Sequence, residues 1–132
     1  MILGIGTDLV DIRRIEHLAN KNGESFIQRI FAASEQAQAL SRLEGPRRFA
    51  FYATRFAAKE ACAKALGTGI REGITFQDMV ISNDALGKPV LTLYNKALER
   101  LRALSGGGRS RIDLSLSDEY PMCLAFVTIS RE

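Results

Sequence analysis

The chain has 132 residues, 46% of them hydrophobic and 25% charged, with a net charge of +3. That is enough for one domain, residues 1–132, with a buried core. It excludes a protein that grips polyanions by bulk charge, so recognition of an acidic partner must come from local patches. No apolar run approaches the roughly 20 residues that cross a bilayer. Asp8 breaks the apolar start and no basic segment precedes it, so neither a membrane span nor a signal peptide is expected, and the protein is placed in the cytoplasm. Cys62 and Cys123 lie among apolar residues without metal-ligand spacing, as buried thiols in a reducing compartment do.

In chain order, Ile2 to Val10 reads as a strand interrupted by Gly4 and Gly6. Glycines inside a strand mark a bulge or the close approach of another backbone or a ligand. Asp11 is a helix cap. After it, Ile12, Ile15, Leu18 and Ala19 recur at helical spacing, with Arg13, Arg14, Glu16 and Lys21 on the other side, until Asn20 to Gly23 ends the helix. A short helix is expected from Ser25 to Phe31, and another behind Ser34 as its cap. The longest element opens at Pro46, a good first-turn residue, and stops at Gly67. Its many alanines let neighbours pack close, and Phe49, Ala53, Phe56, Ala63 and Leu66 give it an apolar stripe.

The second half alternates strands and one helix. Asp78 to Ser82 and Pro89 to Leu93 read as strands around the turn Asn83 to Lys88, and Tyr94 to Leu104 as an amphipathic helix. Ser105 to Gly108 is a break, and Arg111 to Leu116 with Met122 to Ile129 closes the chain as a hairpin. The order βαααα-ββ-α-ββ predicts an α+β fold, an antiparallel sheet packed on the long helix with several short helices around it.

Two carboxylates stand out. Asp8 ends an apolar strand, where a buried charge needs a cation or donors; from its residues alone it reads first as a solvated strand end or helix-entry cap. Glu60 sits in the alanine-rich helix with Phe56 four residues before it and Lys64 four residues after, in the favourable order for a helix pair. Lys59 lies about 100° round from Glu60, and Arg55 shares its face. Composition alone favours an ordinary surface ion pair. Two carboxylates among several cations also suit a Mg²⁺ ion bridging substrate phosphates, which needs only one or two protein carboxylates. There is no P-loop and no dinucleotide loop, since Gly67 to Ile70 follows a helix instead of opening one. His17, the only histidine, falls among polar neighbours and reads as solvent-facing.

The blocks GIGTDLVDIRRIE and RFAAKEACAKALGTGI, with FQDMVISNDALGKPVL as the middle strand pair and its G-K-P entering the second strand, together resemble the holo-acyl-carrier-protein synthase family of phosphopantetheinyl transferases over nearly the whole chain. The resemblance implies a homotrimer with active sites at subunit interfaces, coenzyme A as co-substrate and acyl carrier protein as partner. The implied reaction transfers 4′-phosphopantetheine to a carrier serine, releases 3′,5′-ADP and supports fatty acid biosynthesis. Asp8 and Glu60 match the family's Mg²⁺ carboxylates, and Lys64 assists at the phosphates. Lys59 and Lys64 match positions near the coenzyme A phosphates, with Arg55 on the same helix; Gly67 and Ile70 match positions near the adenine nucleotide. Arg13 and Arg14 match the basic helix that meets the carrier, with Phe26 and Arg29 as further carrier-facing positions.

One segment departs from the pattern. Many members carry S-x-[ST]-H near the C-terminus, where this chain has Ser115-Leu116-Ser117-Asp118. Asp118 would repel a nucleotide phosphate, so Ser115 or Ser117 is left to donate. A Mg²⁺-dependent nucleotide pyrophosphatase, with water as acceptor, would use the same carboxylates. A basic module for nucleic acid would want interleaved aromatics and a more basic balance than this chain has; no nucleic acid and no membrane are expected.

Overall fold

The computed structural model describes residues 1–132, apart from the side chain of Arg42. The elements follow the expected order: β1 (Ile2–Asp11), α1 (Ile12–Asn22), α2 (Glu24–Ile30), α3 (Ala33–Arg42), α4 (Pro46–Ala65), β2 (Met79–Asn83), β3 (Pro89–Leu93), α5 (Asn95–Leu104), β4 (Ser110–Glu119) and β5 (Met122–Arg131). One 3₁₀ turn, Phe76–Asp78, leads into β2. The strands divide into two antiparallel sheets, β1-β5-β4 and β2-β3, so the closing hairpin pairs with the opening strand and leaves the middle hairpin on its own. Among the described residues no helix is long and apolar enough to cross a membrane.

Of two expected helix caps, one is kept and one shifts. Asp11 caps α1 through the N–H of Arg13 at 2.9 Å, as its position predicts. Ser34 does not cap α3; the helix starts at Ala33, and Glu35 reaches back to accept the Ala32 N–H at 2.9 Å. Glu35 supplies what a serine cap would have supplied, an acceptor for a donor left free at the helix start.

The contact that organises the molecule is β1 against α4. Residues of one strand face alternate, so Gly4, Gly6, Asp8 and Val10 share the side that meets the helix. A Cβ added at Gly6 would stand 1.9 Å from the Ala61 carbonyl oxygen, and one at Gly4 1.9 Å from that of Ala65. Only glycine permits this approach. The spacings agree: four helical residues rise about 6 Å and two strand residues about 6.6 Å. On the helix side Ala57, Ala61 and Ala65 are small enough to admit the strand, and all three are buried. The pair of glycines in β1 thus marks backbone meeting backbone. Cys62 and Cys123 are buried free thiols, their pKa values pushed by burial up to about 12 and about 11.

Candidate active site

Asp8 is the next residue inward-facing after Gly6, so the glycine contact delivers its carboxylate to the flank of α4, where Glu60 and Lys64 lie one turn apart. Lys64 Nζ donates to Asp8 Oδ1 at 3.3 Å and to the Thr7 carbonyl at 2.8 Å. Asp8 is mostly covered, with 17% of its side chain exposed, against 53% for Lys64. Glu60 is half-buried. Burial, and next the negative charge of Asp8, push its carboxyl above the ordinary carboxylate range, while Lys64 and Arg14 oppose the shift. Two carboxylates are therefore held close enough to repel, with a single lysine bonded between strand and helix. A divalent cation relieves that repulsion. Among the described residues no group of three or more metal-binding side chains gathers, so a cation here would take its remaining oxygens from water and substrate, the habit of Mg²⁺.

Lys59 requires a correction. It is completely buried, its ammonium donating to Glu35 Oε1 at 2.6 Å and to the Ile30 carbonyl at 2.7 Å. It points into the protein, away from any phosphate. Burial lowers its pKa and Glu35 opposes that shift. Breaking such a pair on one side leaves an uncompensated buried charge, at about 3–5 kcal/mol.

Arg55 shares the face of Lys59 but reaches an opening. Its Nη2 donates to Asn83 Oδ1 at 3.2 Å, and its guanidinium carbon lies 4.0 Å above the Phe51 ring centre. Its Nε is buried without a partner. Desolvation draws its pKa below the usual guanidinium value. Around it lies a cleft of about 580 Å³, walled by Phe51 and by the β2–β3 turn at Asn83, Asp84, Ala85 and Gly87. Ser115 lines an adjoining cavity with Arg55 and Lys88. Asp118 lines another beside Arg47 and Arg55.

Ser117 is not brought to that cleft. It pairs with Leu124 on β5, which pairs with Leu9 on β1, and these line a groove on the far side of the sheet. That outer face is apolar and uncovered: Leu9 is 63% exposed, Ile5 57%, Leu124 41% and Phe126 38%.

Gly67 and Ile70 form the exit from α4. Gly67 has φ of 84°, the Gly69 N–H bonds the Ala63 carbonyl at 3.1 Å, and Arg100 holds the Leu66 carbonyl at 2.8 Å. Of the basic helix, Arg13 is bound to Asp11 at 2.6 Å, whereas Arg14 is exposed and lies 5.9 Å from the Phe56 ring centre, next to Glu60 on the helix. Arg29 is exposed. Phe26 is 4% exposed and belongs to the core, so it is no surface contact; in a seven-residue helix with one inward face, the aromatic takes the inward position. Sequence reading passed over Glu35, Asn83 and Arg100. Only the place of Asn83 at the head of a turn that ends in Gly87 and Lys88 signalled anything.

The model of the 4′-phosphopantetheinyl transferase superfamily matches residues 4–125. A holo-[acyl-carrier-protein] synthase of Afipia carboxidovorans is 52% identical over 132 residues, covering 98% of this chain and 96% of that one. Among solved structures, the holo-[acyl-carrier-protein] synthase of Neisseria meningitidis is 44% identical with a TM-score of 0.85, over 99% of this chain and 100% of that one. The synthase of Bacillus anthracis, in complex with coenzyme A (3′,5′-ADP), is 35% identical with a TM-score of 0.82, over 100% and 99% of the two chains.

Proposed function

This chain belongs to the 4′-phosphopantetheinyl transferase superfamily, and we propose that Asp8, Glu60 and Lys64 are the residues with which it works. Its reaction moves the 4′-phosphopantetheine group of coenzyme A onto a serine hydroxyl of apo acyl carrier protein. The serine oxygen forms a bond to the pantetheine-bearing phosphorus, the bond from that phosphorus to the bridging oxygen breaks, and 3′,5′-ADP leaves with the electron pair. The hydroxyl proton must go to a base. The Glu60 carboxylate or a water at the site takes it.

The convergence of Asp8, Glu60 and Lys64 over the β1–α4 contact carries this reading. Asp8 and Glu60 fit Mg²⁺, which when bound supplies positive charge against the crowded pyrophosphate. Lys64 adds a mobile cation for the leaving oxygens. Arg55, with Ser115, forms the cleft for the anionic nucleotide end of coenzyme A, and Gly67 to Ile70 the rim for its base. Arg14 and Arg29, with Arg13 partly neutralised by Asp11, form the basic surface for an acidic carrier.

Arg55 and Glu60 are five residues apart on α4, about 140° round the helix. One chain therefore presents them on different faces. A homotrimer closed through the uncovered sheet face would bring one copy's carboxylates toward another's cleft, and would carry Ser117 into that interface. Sedimentation should give three chains per particle, and Phe126→Glu should give single chains without transfer. An active parent that sediments as one chain defeats the shared site. We assign the reaction to the cytoplasm, where the holo carrier serves fatty acid synthesis.

Mass spectrometry of apo carrier after incubation with this chain, coenzyme A and Mg²⁺ tests the whole reading. The carrier should gain one phosphopantetheine, and none when Mg²⁺ is chelated. Release of 3′,5′-ADP with no carrier present would make water the acceptor and the enzyme a pyrophosphatase.

A further inference from the structure

The transfer chemistry has no use for the ion pair of Lys59 and Glu35, yet the fold builds around it. Both side chains are wholly buried. Besides Lys59, Glu35 accepts the Ala32 N–H at 2.9 Å on Oε1 and the Ile81 N–H at 3.0 Å on Oε2. Lys59 also holds the Ile30 carbonyl at 2.7 Å. One carboxylate and one ammonium thus join the end of α2, the start of α3, the middle of α4 and the middle of β2.

The bond to Ile81 gives the cluster its reach. Ile81 faces Leu91 across the β2–β3 ladder, and its N–H goes to Glu35 on the strand's other edge. Two residues on, Asn83 Oδ1 accepts from Arg55 at 3.2 Å. Arg55 and Lys59 stand one turn apart on one face of α4, about 6 Å along the axis. Ile81 and Asn83 stand about 6.6 Å apart along β2. Helix and strand are therefore pinned at two matching points: Arg55 to Asn83 directly, and Lys59 to Ile81 through Glu35. The first point lies at the open cleft. The second is sealed in the core.

Two buried charges are an expensive way to hold a strand on a helix, since apolar residues of equal volume often serve stability as well or better. Apolar contact is not directional, however, and lets a two-stranded hairpin slide or tilt. A carboxylate receiving donors from three segments fixes position. We propose that the Glu35–Lys59 pair is a positioning device for coenzyme A. It sets the height and tilt of the β2–β3 hairpin on α4, so that the turn Asn83 to Lys88 and the Arg55 guanidinium oppose each other at the spacing the anionic nucleotide end requires. Neither residue touches substrate. This inference rests on the transfer reading above.

Combining Lys59→Met with Glu35→Gln removes both charges while nearly conserving volume. The test measures 3′,5′-ADP binding by calorimetry, and steady-state transfer with coenzyme A and apo carrier, on the full chain. The dissociation constant for 3′,5′-ADP and the KM for coenzyme A should rise together, about tenfold. The KM for carrier and kcat should stay within about twofold of the parent, the split that separates lost positioning from lost chemistry. Glu35→Asp, which keeps the charge and shortens the reach, should give a smaller loss of the same selectivity and serves if the double variant does not fold. Unchanged 3′,5′-ADP affinity in a folded variant of either kind, or an equal loss toward carrier and coenzyme A, overturns the proposal. A parent that neither binds 3′,5′-ADP nor modifies carrier overturns the transfer reading instead, so the two failures are told apart.

Discussion

Two lysine–carboxylate pairs hang on α4, and they are built by opposite rules. Lys59 and Glu35 are completely buried, 2.6 Å apart, with a backbone N–H donating to each Glu35 oxygen. Lys64 and Asp8 are 3.3 Å apart and partly open, with a second carboxylate, Glu60, pressed toward them. The closed pair satisfies itself and holds segments together. The open cluster has more negative charge than its one bonded lysine balances, so it can accept a further cation and, through that cation, an anionic substrate. Lys59 and Glu60 are adjacent in sequence, so residue type does not separate structure from chemistry here. Burial and the count of donors do.

The sharpest way to break this contrast is to remove one charge from each side. Asp8→Ala or Glu60→Gln should lower transfer at least about 10³-fold, the scale for loss of electrostatic stabilisation at a reacting phosphate. Thermal stability should stay level or rise, because like charges are relieved. Near-normal turnover at saturating Mg²⁺ would show the cluster is not the reacting site. Lys59→Met alone should do the reverse in kind, leaving Glu35 buried and unpaired and removing about 3–5 kcal/mol of stability in urea unfolding. A loss below about 1 kcal/mol would place the pair with ordinary surface bridges. A gentler probe asks how far the open cluster's surroundings serve the carrier. Arg14→Glu should raise the KM for carrier about tenfold, more at low salt than high, and leave the KM for coenzyme A nearly unchanged. Equal effects on both would deny Arg14 a docking role.

Much of the fold was legible because its signals are local and agree. Pro46 and the glycine at 67 bracket α4 to within two residues of its observed end at Ala65, and the β1 glycines announce the close approach that carries Asp8 to the helix. The face of Lys59 was not legible. In a helix where Ala53, Ala57, Ala58, Ala61 and Ala65 are all buried, periodicity tells which residues share a side but not which side is core. Glu35 gave no signal, since apart from the Ala32 N–H its partners come from residues 24 and 46 positions away. Ser117 is different. Its register against Leu124 sets it in the groove on the sheet's outer face, and only the family pattern drew it to the cleft that Ser115 borders.

The smallest expected effect is the most specific to the open cluster. Burial and Asp8 raise the Glu60 pKa, so between the ordinary carboxylate value and the raised one the folded chain binds more protons than the unfolded chain. Without metal, stability therefore falls as pH rises through that window, and the penalty is complete above it. Mg²⁺ binds the ionised pair and stabilises by mass action. The rise in Tm on adding Mg²⁺ should thus be absent below the ordinary carboxylate range, grow through the window, and level off above the raised pKa. Glu60→Gln should abolish the window and nearly all of the Mg²⁺ effect, while Lys59→Met, despite its larger loss of stability, should leave both in place. A Mg²⁺-induced shift that is flat with pH, or one that survives in Glu60→Gln, would move the cation away from these two carboxylates.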